Sequence, residues 1–108
     1  PAYEGFFGAI TEADIEAGAA QMADAVGEFL VRKPDAHELL ITHNFVIAWF
    51  VREVLDAPDW RWMTINQAHC GLTVLSQRPG RPWTLASHND LAHLPVELRT
   101  GLPEALPV

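Results

Sequence analysis

One histidine stands at a change of pattern between two apolar segments. His43 follows Leu39-Leu40-Ile41-Thr42 and precedes Asn44 and an apolar stretch that begins at Phe45. In α/β proteins, ligands bind where a strand ends and a helix begins, because unpaired backbone N–H groups and the helix dipole attract anions there. An imidazole at such a place can hold a phosphate oxygen, donate a proton or stabilise developing charge. The alternative is that His43 only caps the turn.

The other four histidines have structural interpretations. His69 and His93 are expected in turns or in the core, where they make hydrogen bonds, and His37 and His88 are expected to be exposed. A metal site could be assembled only from residues that converge in space, since no two of the candidate ligands have the i, i+4 spacing of a helical zinc motif: His43, His69, His88 and Asp90. The sequence therefore predicts no metal site and no cofactor.

An amphipathic helix is predicted before the apolar run. Thr11 and Asp14 have the spacing of a helix N-cap and its reciprocal partner, and Ile10 can pack on Ile15. Apolar residues then recur every three or four positions until about Val31. The residues before this helix, 1–10, are predicted to form a loop.

Strand, turn and helix are predicted around His43. Leu39–Ile41 has the composition of a short buried strand, and Phe45–Leu55 that of an apolar helix that ends before Pro58. Leu72–Leu75 and Trp83–Leu85 are predicted to be strands joined by a hairpin turn at residues 78–82. The tail, 95–108, is predicted to be irregular.

Composition restricts the partners. The formal net charge is −7 and the basic residues are scattered, so no basic stripe exists to bind nucleic acid. Cys70 is the single cysteine, which excludes an intrachain disulfide. No segment has the order of a signal peptide or the length of a membrane helix. These features predict a cytoplasmic protein that binds neither nucleic acid nor membrane.

Three segments, in this order, resemble the histidine phosphatase superfamily, whose members are phosphoglycerate mutase-like. The first is an apolar strand, Thr, His and an apolar helix at residues 39–47; the second is an Asn-rich turn into a strand at residues 66–75; the third, at residues 89–95, closes the fold. The resemblance covers about residues 12–97. It implies an α/β chain that forms the C-terminal portion of a single domain, residues 1–108 being part of a three-layer α/β/α fold whose N-terminal strands are missing here.

The resemblance also implies a reaction and its residues. In the family, a nucleophilic histidine takes the phosphate of a phosphomonoester, and water or a second substrate removes it from the phosphohistidine. His43 matches the second active-site histidine, which acts on the same phosphate. The backbone N–H of Asn44 is expected to bind phosphate, and Asn66 to support the pocket. A phosphorylated small molecule or a phosphoprotein would be the substrate, and a homo-oligomer is a further expectation.

The sequence departs from the family pattern in two places. Asn44 and Phe45 follow His43, where many members have glycine directly after the histidine. The family's Arg-His-Gly nucleophile motif does not occur in the chain, so the chain alone is predicted to be inactive. Two accounts remain open. Either a longer parent protein supplies the nucleophile, or the fold is a catalytically inactive module that binds a phosphorylated ligand or a protein partner.

Overall fold

The computed structural model describes residues 11–31 and 35–101, and it divides the chain into two units, Pro1–Val31 and Arg32–Val108. The predicted loop at 1–10, with the expected packing of Ile10, lies outside the described residues. Of the tail predicted to be irregular, the described part contains one turn of 3-10 helix, Val96–Leu98.

The first unit contains helix α1, Glu12–Phe29. Its start agrees with the predicted capping box, because the Asp14 N–H donates to Thr11 Oγ1 at 3.1 Å and the Thr11 N–H donates to Asp14 Oδ2 at 3.1 Å. Hydrogen bonding of the Asp14 carboxylate to Thr11, first to its side chain and then to its backbone, lowers the pKa of Asp14. The helix prediction is confirmed, with an end two residues earlier than expected.

The second unit contains helix α2, Asn44–Val54, followed by a 3-10 helix at Asp59–Thr64. The core of this unit includes four consecutive apolar residues of α2, joined by one from the loop that follows the 3-10 helix: Ala48, Trp49, Phe50, Val51 and Ala68. Phe45 packs edge-on against Trp62, with ring centroids 4.7 Å apart. The predicted helix after His43 is therefore confirmed.

Arg52 connects the end of α2 to the segment that follows it. The side chain is buried, lies over the Trp49 ring at 4.9 Å, and donates to the Ala57 carbonyl at 2.6 Å. It also forms ion pairs with Glu53 and Asp59. Because the guanidinium binds a carbonyl beyond the last turn, it fixes the segment after α2 to the helix.

The sheet of the described residues is an antiparallel hairpin of β1, Leu72–Ser76, and β2, Thr84–Asp90. Ser76 pairs with Thr84 beside the turn, and Leu72 pairs with Asp90 at the far end, with irregular register between them. Both predicted strands and the hairpin are confirmed, although β2 extends five residues beyond the predicted end.

The predicted buried strand at Leu39–Ile41 is wrong. These residues have no strand pairing in the structure, and the relative exposures of Leu39, Leu40 and Ile41 are 80%, 44% and 88%. A strand needs hydrogen-bonding neighbours, and β1 and β2, the described strands, pair with each other. The apolar run is therefore left without a sheet to join, and His43 does not follow a parallel strand.

Candidate functional site

His43 is the N-cap residue of α2. Its backbone is extended, with φ −113° and ψ 160°, and its carbonyl accepts from the Ile47 N–H at 3.1 Å, which starts the helix. Its imidazole is exposed and makes no capping hydrogen bond. The first turn of α2 contains no acidic side chain. The positive end of the helix dipole is thus open to an external anion beside an accessible histidine.

Asn44 places the start of α2 against the loop at Asn66–Ala68. Its side-chain Oδ1 accepts from the Gln67 backbone N–H at 2.7 Å, and its Nδ2 donates to Asn66 Oδ1 at 3.3 Å. Gln67 is buried, with 6% relative exposure, so its N–H needs a protein partner. Asn44 therefore has a side-chain function in addition to the backbone N–H considered from the sequence.

Gln67 extends the contacts of Asn44 to β2. Its Nε2 lies 2.9 Å from His88 Nε2. Partial burial lowers the pKa of His88, because desolvation penalises the imidazolium. A neutral His88 can accept from the Gln67 amide, since Nε2 then carries a lone pair. Asn44, Gln67 and His88 thus link the helix start to the end of β2 through polar contacts.

Asn89 makes a second connection between the loop and β2. Its Oδ1 accepts from the Ala68 N–H at 2.8 Å, and its own N–H donates to Thr73 Oγ1 at 3.2 Å. Its φ of 54° lies in the left-handed region, which asparagine tolerates better than most residues. Gly71 lies under this side chain, where an added Cβ would lie 2.4 Å from Asn89 Oδ1. The loop position therefore depends on both residues.

The side chains of His37, His69 and His93 take no part in these hydrogen bonds. His69 Nδ1 lies 2.9 Å from Thr100 Oγ1, and His93 Nε2 lies 2.9 Å from the Cys70 carbonyl, as expected for turn residues that form hydrogen bonds. His37 and His88 are exposed, as predicted.

No three or more His, Cys, Asp or Glu residues converge on a possible metal position anywhere in residues 11–31 and 35–101. The metal cluster considered from the sequence, which would need His43, His69, His88 and Asp90 together, does not form there.

The structure therefore brings Asn44 and Asn66 together beside His43, and it adds Gln67, His88 and Asn89, which the sequence interpretation missed as site residues. Asn89 falls inside the third matched segment and Gln67 inside the second, so the sequence already pointed to the segments that contain them. Their contacts could not be predicted from the sequence, because each contact joins residues more than 20 positions apart.

The chain is similar to one known protein family and to two known proteins. The model of the "Histidine phosphatase superfamily (branch 1)" matches residues 8–91. "Serine/threonine-protein phosphatase Pgam5, mitochondrial" of Caenorhabditis elegans is 33% identical over 64 residues, which are 59% of this chain and 22% of that protein. The protein of the same name in Caenorhabditis briggsae is 32% identical over 63 residues, 58% of this chain and 22% of that protein. The match thus spans about a fifth of these relatives. No solved structure matches significantly.

Neither α-helix of the residues that the structure describes combines the length and the apolar character needed to cross a bilayer.

Proposed function

Because the chain belongs to the histidine phosphatase superfamily, branch 1, we propose that it is the part of a phosphatase domain that contributes the second active-site histidine, His43. The observation that carries this proposal is the exposed imidazole at the uncapped N-terminus of α2. The Asn44 backbone N–H, in the first turn, would donate to the phosphate oxygens, and Asn66 would hold the loop beside it. The phosphoryl group would thus be stabilised during transfer by the His43 ring, as a cation or proton donor, and by the dipole of α2.

The reaction we propose for the longer protein is phosphomonoester hydrolysis in two steps. A histidine supplied outside these 108 residues would attack phosphorus, the ester oxygen would leave, and water would then cleave the phosphohistidine. His43 would stabilise the equatorial oxygens or protonate the leaving oxygen. The relatives are called serine/threonine-protein phosphatases, which favours phosphoserine or phosphothreonine in proteins as the substrate class. Sugar phosphates and nucleotides are the alternative substrate classes.

A specific replacement tests the assignment. In the longer protein, His43→Gln should lower single-turnover hydrolysis of a phosphothreonine peptide by about 10²- to 10⁴-fold, the range for loss of one positioned proton-transfer or charge-stabilising group. His37→Gln is the matched control, since His37 is also exposed. Equal small effects of both replacements would refute a chemical role for His43.

A second candidate is the catalytically inactive module, favoured by the absence of Arg-His-Gly from these 108 residues. It would bind a phosphorylated ligand at His43 without turnover. Acid-labile, base-stable incorporation of phosphate into the longer protein distinguishes the two, because a phosphohistidine forms only if a nucleophile is present. Binding without such incorporation would establish the second candidate.

The domain organisation is part of the proposal. We infer that Leu39–Ile41 and the exposed face of β1, with Leu72 and Val74, are covered by further elements of a three-layer α/β/α domain in the longer protein. Leu72 and Val74 are 45% and 38% exposed, and apolar residues of a sheet normally pack against another layer. Amide hydrogen exchange at residues 39–41 should be slower in the longer protein than in this chain. Equal exchange would contradict the covering layer.

A further inference from the structure

The turn between β1 and β2 brings two arginines together. The Arg81 N–H donates to the Arg78 carbonyl at 3.1 Å, and Gly80 has a φ of 71°. Pro79 and Gly80 thus stand at the two central positions of a turn, where type II turns prefer proline and glycine. The Cα atoms at the two ends of such a turn lie within about 7 Å of each other. Gln77 Nε2 also donates to the Arg81 carbonyl at 3.2 Å. The two arginines are therefore held close by the backbone.

Neither of these arginines has a partner for its charge among the residues that the structure describes. Arg52 forms ion pairs, the Arg61 guanidinium lies 4.5 Å from the centroid of the Trp60 ring, and Arg99 Nε donates to a carbonyl. Arg78 and Arg81 are exposed, and their guanidinium groups form no hydrogen bond or ion pair within the described residues. Two adjacent like charges repel each other, so an anion between them would be favoured.

The side chains of the strand ends add hydroxyl groups. Ser76 and Thr84 are register partners beside the turn, and with Arg78, Arg81 and Pro82 they line an open cleft of about 370 Å³. All five of these residues are exposed, so a ligand would be held there by charge and hydrogen bonds rather than by burial. Guanidinium groups bind phosphate through paired N–H donors, and hydroxyl groups can donate to the remaining oxygens. We refer to these five residues as the hairpin cleft.

We propose that the hairpin cleft is a binding site for a small phosphorylated ligand, held by Arg78 and Arg81 with Ser76 and Thr84 as additional donors. The cleft is separate from the His43 site. Thr84 lies at the turn end of β2, whereas His88 is four residues along the strand, about 13 Å away at the usual rise per residue. The proposal does not depend on phosphatase activity, because it requires only the geometry of the hairpin.

Titration of the isotope-labelled chain with pyrophosphate, followed by amide NMR shifts at physiological salt, tests the site. Saturable shifts are expected at Gly80 and Arg81. Arg78→Gln and Arg81→Gln should each weaken the apparent affinity at Gly80 about tenfold, the effect of one lost charge-assisted hydrogen bond. Arg78→Lys should lose less, because it keeps the charge but not the paired donors.

Two controls make the outcome decisive. Arg61→Gln removes one positive charge outside the hairpin cleft and should change the affinity measured at Gly80 less than twofold. If Arg61→Gln and Arg78→Gln weakened this affinity equally, the binding would reflect only general charge attraction, and the proposal would be overturned. His43→Gln should alter the shifts of Asn44 and leave those of Gly80 intact. Loss of the Gly80 response in His43→Gln, or no saturable shift at Gly80 in the unmodified chain, would also overturn it. The His43 assignment is judged separately, by the response at Asn44.

Discussion

Replacement of Asn44 separates its side-chain function from its backbone function. Asn44→Ala removes the acceptor of the Gln67 N–H, a bond of 2.7 Å to a residue with 6% exposure. An N–H left without a partner in a buried position costs about 1–3 kcal/mol. The second bond, to Asn66 at 3.3 Å, is exposed and adds about 0.5 kcal/mol. The higher helix propensity of alanine offsets about 0.5 kcal/mol. We therefore expect a loss of about 2 kcal/mol.

Two further variants provide the matched controls. Asn66→Ala loses only the exposed bond, so its expected cost is about 0.5 kcal/mol. Asn44→Asp keeps an acceptor for the Gln67 N–H and places a carboxylate at the helix N-terminus, which is worth about 0.3–1 kcal/mol. Its stability should therefore equal that of the unmodified chain within about 0.5 kcal/mol. The same carboxylate would repel phosphate from the His43 site, so Asn44→Asp should lose anion binding without loss of stability.

Urea unfolding monitored by tryptophan fluorescence measures these differences, and the NMR titration with pyrophosphate measures binding at Asn44. The expected order of stability is Asn44→Asp, then Asn66→Ala, then Asn44→Ala. If Asn44→Ala and Asn66→Ala were equally stable, the Gln67 N–H would not depend on Asn44. If Asn44→Asp bound pyrophosphate at the helix start as well as the unmodified chain does, the anion site would not lie there.

Three other replacements test single contacts. Gly71→Ala should cost about 2–3 kcal/mol in urea unfolding, because the new Cβ would displace Asn89 from the Ala68 N–H; a cost below about 0.5 kcal/mol would contradict this. The pKa of His88 is lowered in the folded chain, so the unfolded chain binds more protons and the free energy of unfolding should fall as the pH decreases below about 6.5. This fall should be smaller in His88→Gln. Parallel pH profiles of the two chains would refute this role of His88. Arg52→Met should cost about 2 kcal/mol through its lost hydrogen bond to Ala57 and its lost ion pairs, and unchanged unfolding would show that these contacts are dispensable.

The parts of the fold that depend on neighbouring residues could be predicted from the sequence, and those that depend on distant partners could not. The Thr11–Asp14 cap, helix α2 and the hairpin follow from local spacing and turn chemistry. Leu39–Ile41 was assigned as a strand from composition alone, but strand formation needs a pairing partner that composition does not specify. The place of His43 at the start of α2 follows from local pattern, whereas the Asn44–Gln67 bond joins residues 23 positions apart.

The two α-helices of the described residues differ in how their N-termini are satisfied, and this difference supports a further prediction. Thr11 caps α1 with its side chain, whereas His43 leaves the start of α2 without a side-chain cap. Serine at an N-cap with extended backbone satisfies one N–H group of the first turn and is worth about 1 kcal/mol.

His43→Ser should therefore stabilise the chain by about 1 kcal/mol, and in the longer protein it should lower phosphate transfer as His43→Gln does. Thr11→His is the reciprocal control, expected to destabilise α1 by about 1 kcal/mol and to leave phosphate transfer unchanged. Urea unfolding of both variants and single-turnover assays provide the measurements. A gain in stability with a loss of transfer would mean that the histidine is kept for chemistry at a cost in stability, as expected of an active-site residue. A loss of stability in His43→Ser would instead show that the imidazole holds the turn together, and would remove the basis for a chemical role.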